Sequence, residues 1–440
     1  MKNKKWMAIL LGGIMAASLA APCSVSAAEK TTLTFWHAMG GTNGEVLQQI
    51  VDDFNASQDE IEVKAEYQGT YDDTITKLKA AMQSDSGLPD VCQMYDVGTK
   101  FMYDSGAVIP VEDKFESTGY DKSSVMEVIS SYYTVDGKQY AMPFNVSTPM
   151  LYYNKDVFEA AGLDPETPPT TYDEVLEDAK KIVESGAAPV GYSQAIYGWF
   201  FEQQLAGLGV TYGNNDNGRT EAVTAVDFDS NGGGLKVFDM WKKLYDSGYF
   251  EDYGTTTADT QTAFFSGQVG MIIESTAILK NAVDSSPFEV GTGYLPRIEQ
   301  NDEGGVIIGG GSLWLTDTGN EANEDAAWKF IEYITTPDVQ AKWSMGTGYF
   351  AINEKAYETE DMKAYLKENP NFETAINQLK DSPVNCNTAG VLSGVQTEAR
   401  LTFNEIMPQV YDGKLTTQDA VDQLAASVNK AIENYNESIK

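Results

Sequence analysis

Hydrophobic residues in the N-terminal part of the chain recur with two periods. Short runs with apolar residues at every second position predict strands, and longer runs with apolar residues at every third or fourth position predict helices. These criteria place strands at 32–36, 61–67 and 90–95 and helices at 45–55 and 71–84. The alternation predicts an α/β fold with a mainly parallel, doubly wound sheet, whose ligands bind beyond the carboxyl ends of the strands.

The remainder of the chain continues this pattern without repeats, heptads or low-complexity linkers. Further strands or extended segments are predicted at 140–145, 150–154, 269–273 and 288–295, and helices at 101–108, 172–184, 235–247, 326–335, 339–345 and 416–438. Because 440 residues exceed one ordinary core, we expect two lobes joined by strand crossings. The predicted division assigns 28–143 and 288–345 to lobe 1, and 144–287 and 346–440 to lobe 2.

Three glycines separate two β-type runs, Val306–Ile308 and Ser312–Leu315. Because glycine has no Cβ, Gly309–Gly311 can expose several backbone N–H groups at one point, which suits the oxygens of a small polar solute. The same residues suit a bulge or a tight bend between strands equally well. The sequence alone does not separate these two interpretations.

The chain is strongly acidic, with 65 Asp and Glu against 30 Lys and Arg and a formal net charge of −35. A surface this negative argues against nucleic acid and anionic membranes as partners. It does not argue against a small anionic solute, because one nearby arginine outweighs distant charges at ordinary salt.

The N-terminal residues, 1–27, have the pattern of a cleaved signal peptide. Lys2, Lys4 and Lys5 precede an apolar stretch, Met7–Ala21, that is too short for a stable membrane anchor. Small residues that end at Ala27 predict cleavage there. We therefore expect an exported protein, either periplasmic or at the cell surface.

The cysteines leave two questions open. Lipid attachment at Cys23 is the weaker alternative to simple cleavage, because Pro22 stands where a small residue is needed. In the mature chain, Cys92 and Cys386 either pair in an oxidising compartment or remain buried thiols.

Residues that would support catalysis are scarce. His37 is the single histidine, which leaves little room for a Ser-His-acid triad. The sequence has no G-x-S-x-G elbow, no H-E-x-x-H helix and no Cys/His metal spacing, so we expect no catalytic residue, metal or cofactor. A secreted glycoside hydrolase is the rival class, because an unrecognised carboxylate pair can be hidden among the 65 acids.

Seven segments carry a family resemblance when they are taken in order along the chain. They are Phe35–Met39, Gln68–Asp72, Gln93–Thr99, Phe144–Pro149, Leu151–Lys155, Ile307–Trp314 and Thr347–Tyr349. Together they resemble the extracellular solute-binding proteins of ABC importers, the group of the maltose-binding and glycerol-3-phosphate-binding proteins, with the closer likeness to the latter type. The resemblance implies a two-lobed periplasmic-binding-protein architecture, a hinge that closes on the solute in a cleft, and membrane permease subunits as partners.

By the same resemblance, the solute site would consist of Tyr71, Asp96, Ser147, Ser275, Gly310, Tyr349 and Arg400, with His37, Trp199 and Thr276 as secondary candidates. Tyrosine offers a flat apolar face and a hydroxyl, while a carboxylate accepts two hydroxyl hydrogens at once. Arginine is a planar, permanently charged partner for phosphate or carboxylate. We therefore expect Arg400 to meet an anionic end of the solute and Asp96 to meet its hydroxyls.

The chain departs from the family pattern at three positions. Asp96 stands where glutamate is usual, Ile196 stands where the family has a second tryptophan beside Trp199, and either Ser275 or Thr276 matches the hydroxyl position. These departures leave the solute open. We expect a monomeric, non-catalytic binder of glycerol 3-phosphate or a glycerophosphodiester, with an oligosaccharide as the alternative.

Several candidates also have a plainer interpretation. The single histidine, His37, is more typical of a packed or capping residue than of a ligand-binding one. Asp96 precedes a helix and could cap it, and an isolated arginine such as Arg400 is by default a solvated helix residue. Trp199 is more typical of a core than of a binding platform.

Overall fold

The structure, a computed structural model, describes residues 30–84 and 87–439. The predicted signal peptide and Cys23 lie outside these residues. Within them, none of the helices combines the length and the apolar character that a membrane crossing requires.

Strands and helices occur throughout the described chain. The strands are β1 (Thr31–His37), β2 (Ile61–Tyr67), β3 (Val91–Tyr95), β4 (Val108–Ile109), β5 (Thr134–Val135), β6 (Lys138–Gln139), β7 (Met142–Ser147), β8 (Pro149–Asn154), β9 (Val190–Ser193), β10 (Val269–Ser275), β11 (Val290–Gly293) and β12 (Gly309–Thr316). The helices are α1 (Gly41–Ser57), α2 (Tyr71–Met82), α3 (Thr99–Ser105), α4 (Glu112–Thr118), α5 (Glu127–Ser130), α6 (Lys155–Ala160), α7 (Tyr172–Ser185), α8 (Gly198–Gly207), α9 (Asn214–Gly218), α10 (Gly233–Asp246), α11 (Thr257–Phe265), α12 (Leu279–Ser285), α13 (Glu321–Ile334), α14 (Pro337–Thr347), α15 (Glu360–Glu368), α16 (Asn371–Asp381), α17 (Gln396–Tyr411) and α18 (Thr417–Ser438).

Local sequence explains where several helices begin and end. Thr70, Thr171 and Thr416 each start a helix with a capping box, in which the threonine side chain and an acidic residue three positions later satisfy each other's backbone N–H groups. The cap at Thr70 makes Tyr71 the first residue of α2. The helix predicted at 101–108 ends earlier, at Ser105, because Gly106 adopts a left-handed backbone with φ of 63°.

The larger sheet contains six strands, in the order β2-β1-β3-β12-β4, with β7 also paired to β12. Its first three strands run parallel, but β12 is antiparallel to β3, β4 and β7. We call it the first sheet. Helices α13 and α14 cover it, and Phe35, Trp314 and Phe330 lie in the core between them with no exposed surface.

The second sheet has the order β11-β8-β10-β9, and of its pairs only β9 and β10 are parallel. Helices α8, α10, α17 and α18 build a second core beside it, around Phe201, Trp241 and Phe403. The prediction of a mainly parallel sheet is therefore right for β1, β2 and β3 but wrong for the whole first sheet, where the three pairs made by β12 are antiparallel. It rested on the local strand-helix alternation, whereas β12 enters the first sheet from the second and runs against its neighbours.

The chain crosses between the sheets at two points that are clear from the strand order. Thr148 alone separates β7 in the first sheet from β8 in the second, and residues 294–308 lead from β11 back to β12. The predicted division assigns residues 144–147 to lobe 2, but they pair in the first sheet. It assigns residues 290–293 to lobe 1, but they pair in the second sheet. The division into lobes at those residue numbers stays a prediction.

Candidate functional site

The glycine run forms part of one strand. The prediction of two strands separated by glycines was wrong, because β12 begins at Gly309 and its register with β7 shifts between Gly311 and Ser312. Gly310 has φ of 96°, and a Cβ there would lie 1.9 Å from the backbone oxygen of Asn145. The glycines therefore bend β12 and let β7 approach it closely, which agrees with the bulge interpretation.

Two of the predicted tyrosines meet at the end of the first sheet. Asn145 Nδ2 donates a hydrogen bond to the Tyr71 hydroxyl at 2.6 Å, and the nearby Tyr349 hydroxyl contributes to the raised pKa of Tyr71. The Tyr71 ring stacks on Tyr95 with centroids 5.2 Å apart, and the Tyr349 ring stacks on Trp343 at 5.7 Å. Burial raises the pKa of both hydroxyls, so they act as neutral hydrogen-bonding groups.

Arg400 lies between two carboxylates. Its Nη2 donates to Asp96 Oδ2 at 2.8 Å and to Glu202 Oε2 at 2.7 Å, while its Nε donates to Glu202 Oε1 at 2.8 Å. Burial opposes the charge on the guanidinium, but the carboxylates of Asp96 and Glu202 raise the pKa of Arg400. Burial also raises the pKa of Glu202. All three residues are buried, so Arg400 is not the solvated helix residue of the plainer interpretation.

This ion cluster joins the two parts of the molecule. Asp96 directly follows β3 of the first sheet, whereas Glu202 and Arg400 lie on α8 and α17 beside the second sheet. The close approach of these two helices depends on Gly198, since a Cβ there would lie 2.5 Å from Arg400 Cα. With one guanidinium and two carboxylates, the cluster carries one net negative charge when all three groups are ionised.

Trp199 follows Gly198 on α8, the helix that also carries Glu202. A Cβ on Gly309 would lie 2.8 Å from the Trp199 ring, so the tryptophan packs directly against the start of β12. The ring is also tilted against Tyr197 and Phe200. Trp199 is 5% exposed, which fits its membership of the second core, and a role in solute contact stays a prediction.

The three predicted hydroxyl positions lie at the chain crossing. Ser147 ends β7 opposite Gly309. The Ser275 side chain accepts a hydrogen bond from the backbone of Ala277, and Thr276 exchanges two hydrogen bonds with Thr148. Ser275 and Thr276 are thus engaged in local structure, and their contribution to a solute site stays a prediction.

His37 is buried at the end of β1. Its Nδ1 accepts a hydrogen bond from the Met39 backbone at 3.3 Å, and its ring lies near those of Phe35 and Tyr67. Burial lowers the pKa of His37 to about 4, so the ring is neutral near pH 7. These contacts are those of a packed residue, as the plainer interpretation holds. Its role as a secondary candidate for solute contact remains untested.

Asn145 and Glu202 belong to this site although sequence reasoning did not single them out. Asn145 lies inside one of the segments that carry the family resemblance. The sequence around Glu202 did indicate a buried polar site. Glu202–Gln204 are three consecutive polar residues in α8, a helix that is otherwise apolar and almost fully buried. A polar group at such a position needs buried partners, and Arg400 is the partner of Glu202.

The two remaining sequence questions concern metals and thiols. Among the described residues, no cluster of His, Cys, Asp and Glu could hold a metal ion. Cys92 and Cys386 are both free thiols. Of the two interpretations of these cysteines, the structure shows the unpaired one.

Solved structures share this architecture. A cyclic α-maltosyl-1,6-maltose binding protein from Arthrobacter globiformis is 26% identical, with a TM-score of 0.76 over 92% of this chain and 100% of that chain. UgpB from Mycobacterium tuberculosis, solved with glycerophosphocholine, is 20% identical, with a TM-score of 0.79 over 93% of this chain and 100% of that chain. The fold is thus the two-lobed periplasmic-binding-protein architecture, with a hinge and a ligand cleft between the lobes.

Sequence comparisons identify the protein family within this class of fold. The family model for bacterial extracellular solute-binding proteins matches residues 49–374. The sn-glycerol-3-phosphate-binding periplasmic protein UgpB of Escherichia coli K12 is 30% identical over 417 residues, which cover 93% of this chain and 94% of that protein. The chain belongs to the bacterial extracellular solute-binding protein family.

Proposed function

We propose that this protein is the solute-binding subunit of an ABC importer that captures glycerol 3-phosphate or a glycerophosphodiester and delivers it to membrane permease subunits. The observation that carries the proposal is the meeting of Asp96 with Arg400 across the two parts of the molecule, beside the hydroxyls of Tyr71 and Tyr349. The Escherichia coli relative named for sn-glycerol 3-phosphate supports this choice of solute.

The proposed role is binding without catalysis. A glycoside hydrolase needs one carboxyl group free to donate a proton and another free to attack or activate water. Here Asp96 and Glu202 are both held by the same guanidinium, at 2.8 and 2.7 Å. Both carboxylates therefore serve to orient Arg400, and the solute is released unchanged.

The charge of the site favours one of the two phosphate solutes. With all three groups ionised, the cluster of Asp96, Glu202 and Arg400 has one net negative charge, which repels a dianion more strongly than a monoanion. Glycerol 3-phosphate is largely a dianion at neutral pH, whereas a phosphodiester carries one charge. We therefore expect a glycerophosphodiester to bind more tightly than glycerol 3-phosphate.

An oligosaccharide is the second candidate, and a specific observation favours it. Arg400 is already neutralised by its own carboxylates, and the surrounding rings of Tyr71, Tyr95 and Tyr349 offer flat faces to the C–H groups of a sugar. The Arthrobacter globiformis structure at 26% identity is that of a saccharide-binding protein.

Titration calorimetry of Glu202→Gln separates the two solutes. Removing one negative charge beside Arg400 should raise the affinity for glycerophosphoglycerol and for glycerol 3-phosphate on the order of tenfold, because about 1.4 kcal/mol of repulsion is relieved. The affinity for maltose should change little, since a neutral solute does not respond to that charge. Glu184→Gln, at an exposed position of α7, is the matched control.

Arg400→Ala provides the second arm of this test. It should weaken phosphodiester binding by ~2–5 kcal/mol, partly because Asp96 and Glu202 are then left buried without a partner. Tight binding of maltose by the wild type, without measurable binding of either phosphate, would establish the saccharide alternative and reject the phosphate assignment. Recovery of a chemically altered solute would reject the non-catalytic role.

The remaining proposals concern the whole chain. We propose that residues 1–27 are removed on export to the periplasm or the cell surface, and that the mature protein is a monomer. We also propose the division into two lobes near the predicted boundaries, with β7 and β11 assigned to the sheets in which they pair.

A further inference from the structure

Arg219 is one of three arginines in the chain, and its guanidinium is surrounded by backbone carbonyls. Its Nε donates to the Gly390 oxygen at 3.1 Å, and its Nη1 donates to the Tyr132 oxygen at 2.9 Å. Its Nη2 donates to the oxygens of Ala389 and Gly390. The guanidinium also lies over the Tyr132 ring, 5.3 Å from the ring centroid. Within the described residues, Arg219 forms no ion pair with a carboxylate.

The charge of Arg219 is therefore stabilised by neutral dipoles. Burial lowers the pKa of Arg219 to about 10, so the side chain is still charged near neutral pH. At Arg400, by contrast, burial opposes the charge but the carboxylates of Asp96 and Glu202 raise the pKa. A contact with carbonyls separates more easily than a buried ion pair, because its loss leaves one charge without a partner instead of two.

The carbonyls that Arg219 contacts lie on two parts of the molecule. Tyr132 packs in the core that covers the first sheet. Ala389 and Gly390 lie in residues 382–395, which lead from α16 to α17 and contribute two valines to the second core. Arg219 therefore joins the core of the first sheet to a segment of the second part.

A strained turn precedes Arg219. Asn215, Asp216 and Asn217 have φ of 56°, 53° and 59°, and Gly218 follows with φ of 77°. Left-handed conformations are unfavourable for residues with a side chain, so a turn of this kind persists only where other contacts hold it. Such strain in a folded protein suggests a functional reason for the placement of the residue that it presents.

Asn217 supplies the contacts that hold the turn. Its side-chain oxygen accepts hydrogen bonds from two backbone N–H groups, at 2.7 and 2.9 Å. Its Nδ2 donates to the Cys386 oxygen at 3.0 Å, and its backbone oxygen accepts from the Leu392 N–H at 2.8 Å. The turn and residues 382–395 thus form one unit, which presents the guanidinium to Tyr132.

A cavity of about 990 Å³ lies beside this contact. Thr134 and Asp136 line it from the first part, and Arg219, Thr220 and Ala389 line it from the second. Water in this cavity can reach the guanidinium when the contact with the first part separates. Separation therefore leaves the charge hydrated, which keeps its cost low.

We propose that Arg219 is a latch of the hinge motion. Its bonds to Ala389 and Gly390 persist, while its bond to Tyr132 forms when the two parts close on a solute and breaks when they open. The latch stabilises the closed form and slows release of the solute. This inference rests on the proposed solute-binding function and adds a contact that sets how long the solute is held.

Nuclear magnetic resonance of the arginines tests the latch, because selective ¹⁵N labelling yields only three guanidinium groups. The variants Arg219→Lys and Arg297→Lys assign the signals. Saturation with glycerophosphoglycerol should slow rotation of the Arg219 Nη1 group at least about tenfold, because Nη1 then bonds to Tyr132. Hydrogen exchange at Arg219 Nε, which faces Gly390, should change less than about twofold. Arg297 is exposed and should respond to the solute at neither group.

Arg219→Met removes the donors and keeps an apolar side chain of similar length. In stopped-flow measurements it should release glycerophosphoglycerol about tenfold faster than the wild type, with association changed less than about threefold. Arg219→Lys keeps the charge, but a single ammonium cannot reach Tyr132 and Gly390 together, so it should also release the solute faster. Arg297→Met is the control and should keep the wild-type rates.

A wild-type release rate in Arg219→Met would overturn the proposal. Equal Nη1 rotation in solute-free and saturated wild type would overturn it as well, and this measurement decides even where Arg219→Met does not fold. Absence of phosphate binding by the wild type would reject the proposed solute instead. Small-angle X-ray scattering of solute-free protein then tests the latch: a larger radius of gyration in Arg219→Lys than in Arg297→Lys supports it, and equal radii overturn it.

Discussion

At the scale of single residues, Glu274 is a buried acid without a cationic partner among the described residues. It accepts hydrogen bonds from Gln261 Nε2 at 2.9 Å and from the Ser275 backbone at 2.7 Å, and it is 4% exposed. Burial raises the pKa of Glu274 to about 7, because these two bonds do not replace the lost hydration of a carboxylate. The folded protein therefore favours its protonated form.

The pH dependence of Glu274→Gln follows from the sign of this shift. The carboxyl titrates near pH 4.5 in the unfolded chain and near 7 in the folded one, so its stabilising contribution is complete below pH 4.5 and is lost as pH rises to about 7. Relative to wild type, Glu274→Gln should gain on the order of 3 kcal/mol of unfolding free energy between pH 4.5 and pH 8.

Urea denaturation of both proteins at several pH values measures this difference. Burial lowers the pKa of His37 to about 4, so His37 destabilises the fold as pH falls below 6.5. This contribution is the same in wild type and in Glu274→Gln, and it cancels in the difference between them. A constant difference between wild type and Glu274→Gln across this range would show that Glu274 is ionised in the folded protein throughout.

At the scale of secondary structure, the sequence predicted the elements that have one buried face. Helices α1 and α18 have their apolar residues at helical spacing, and buried residues alternate with less buried ones along β1. Burial of one face therefore produces a periodic pattern that can be recognised in the sequence. Strand β12 is buried on both faces and carries no such period. Its place between β3 and β7 depends on a pairing distant in sequence, which no local pattern records.

The same distinction applies to the proposed site. The sequence could propose the tyrosines and Arg400 because they lie in segments with a family resemblance or have obvious chemistry. Glu202 and Gln93 were missed because their roles depend on partners far along the chain. Gln93 is engaged by Ala38 and Asn145, and Glu202 by Arg400. Sequence reasoning can name candidate groups, whereas their pairing requires the fold.

Gly311→Ala tests whether β12 keeps the side chains of Gln93 and Asn145 in contact at the proposed site. The added methyl group would lie 2.8 Å from Asn145 Oδ1 and 3.0 Å from the Met94 backbone oxygen. Asn145 must then shift, which disturbs its hydrogen bond with Gln93, so we expect a loss of ~1–3 kcal/mol of stability and at least about tenfold weaker solute binding.

The control for this substitution is Gly207→Ala, at the end of α8, where an added Cβ meets nothing within 4 Å. This change should leave stability within about 1 kcal/mol of wild type and leave affinity unchanged. Calorimetry and urea denaturation measure both quantities. Wild-type affinity in Gly311→Ala would show that the contact between Gln93 and Asn145 does not position the site.

At the scale of the whole molecule, three side-chain contacts connect the first sheet to the C-terminal helices. Asp96 pairs with Arg400, and Tyr95 shares a hydrogen bond of 2.6 Å with Thr397. Further from the site, the Tyr435 hydroxyl donates to Asp104 at 2.7 Å. These contacts hold the first sheet and the C-terminal helices against each other, so the structure shows the two parts of the molecule in direct contact.

Because Tyr435 lies outside the proposed site, Tyr435→Phe changes closure without removing a solute contact. Loss of its bond to Asp104 should increase the open population and thereby the radius of gyration measured by small-angle X-ray scattering. Apparent solute affinity should fall roughly twofold to tenfold, because affinity scales with the closed fraction. Tyr249→Phe is the control, since its hydroxyl donates to Glu184 beside the same second sheet. If saturating solute fails to return Tyr435→Phe to the wild-type radius, the bond to Asp104 does not act through closure.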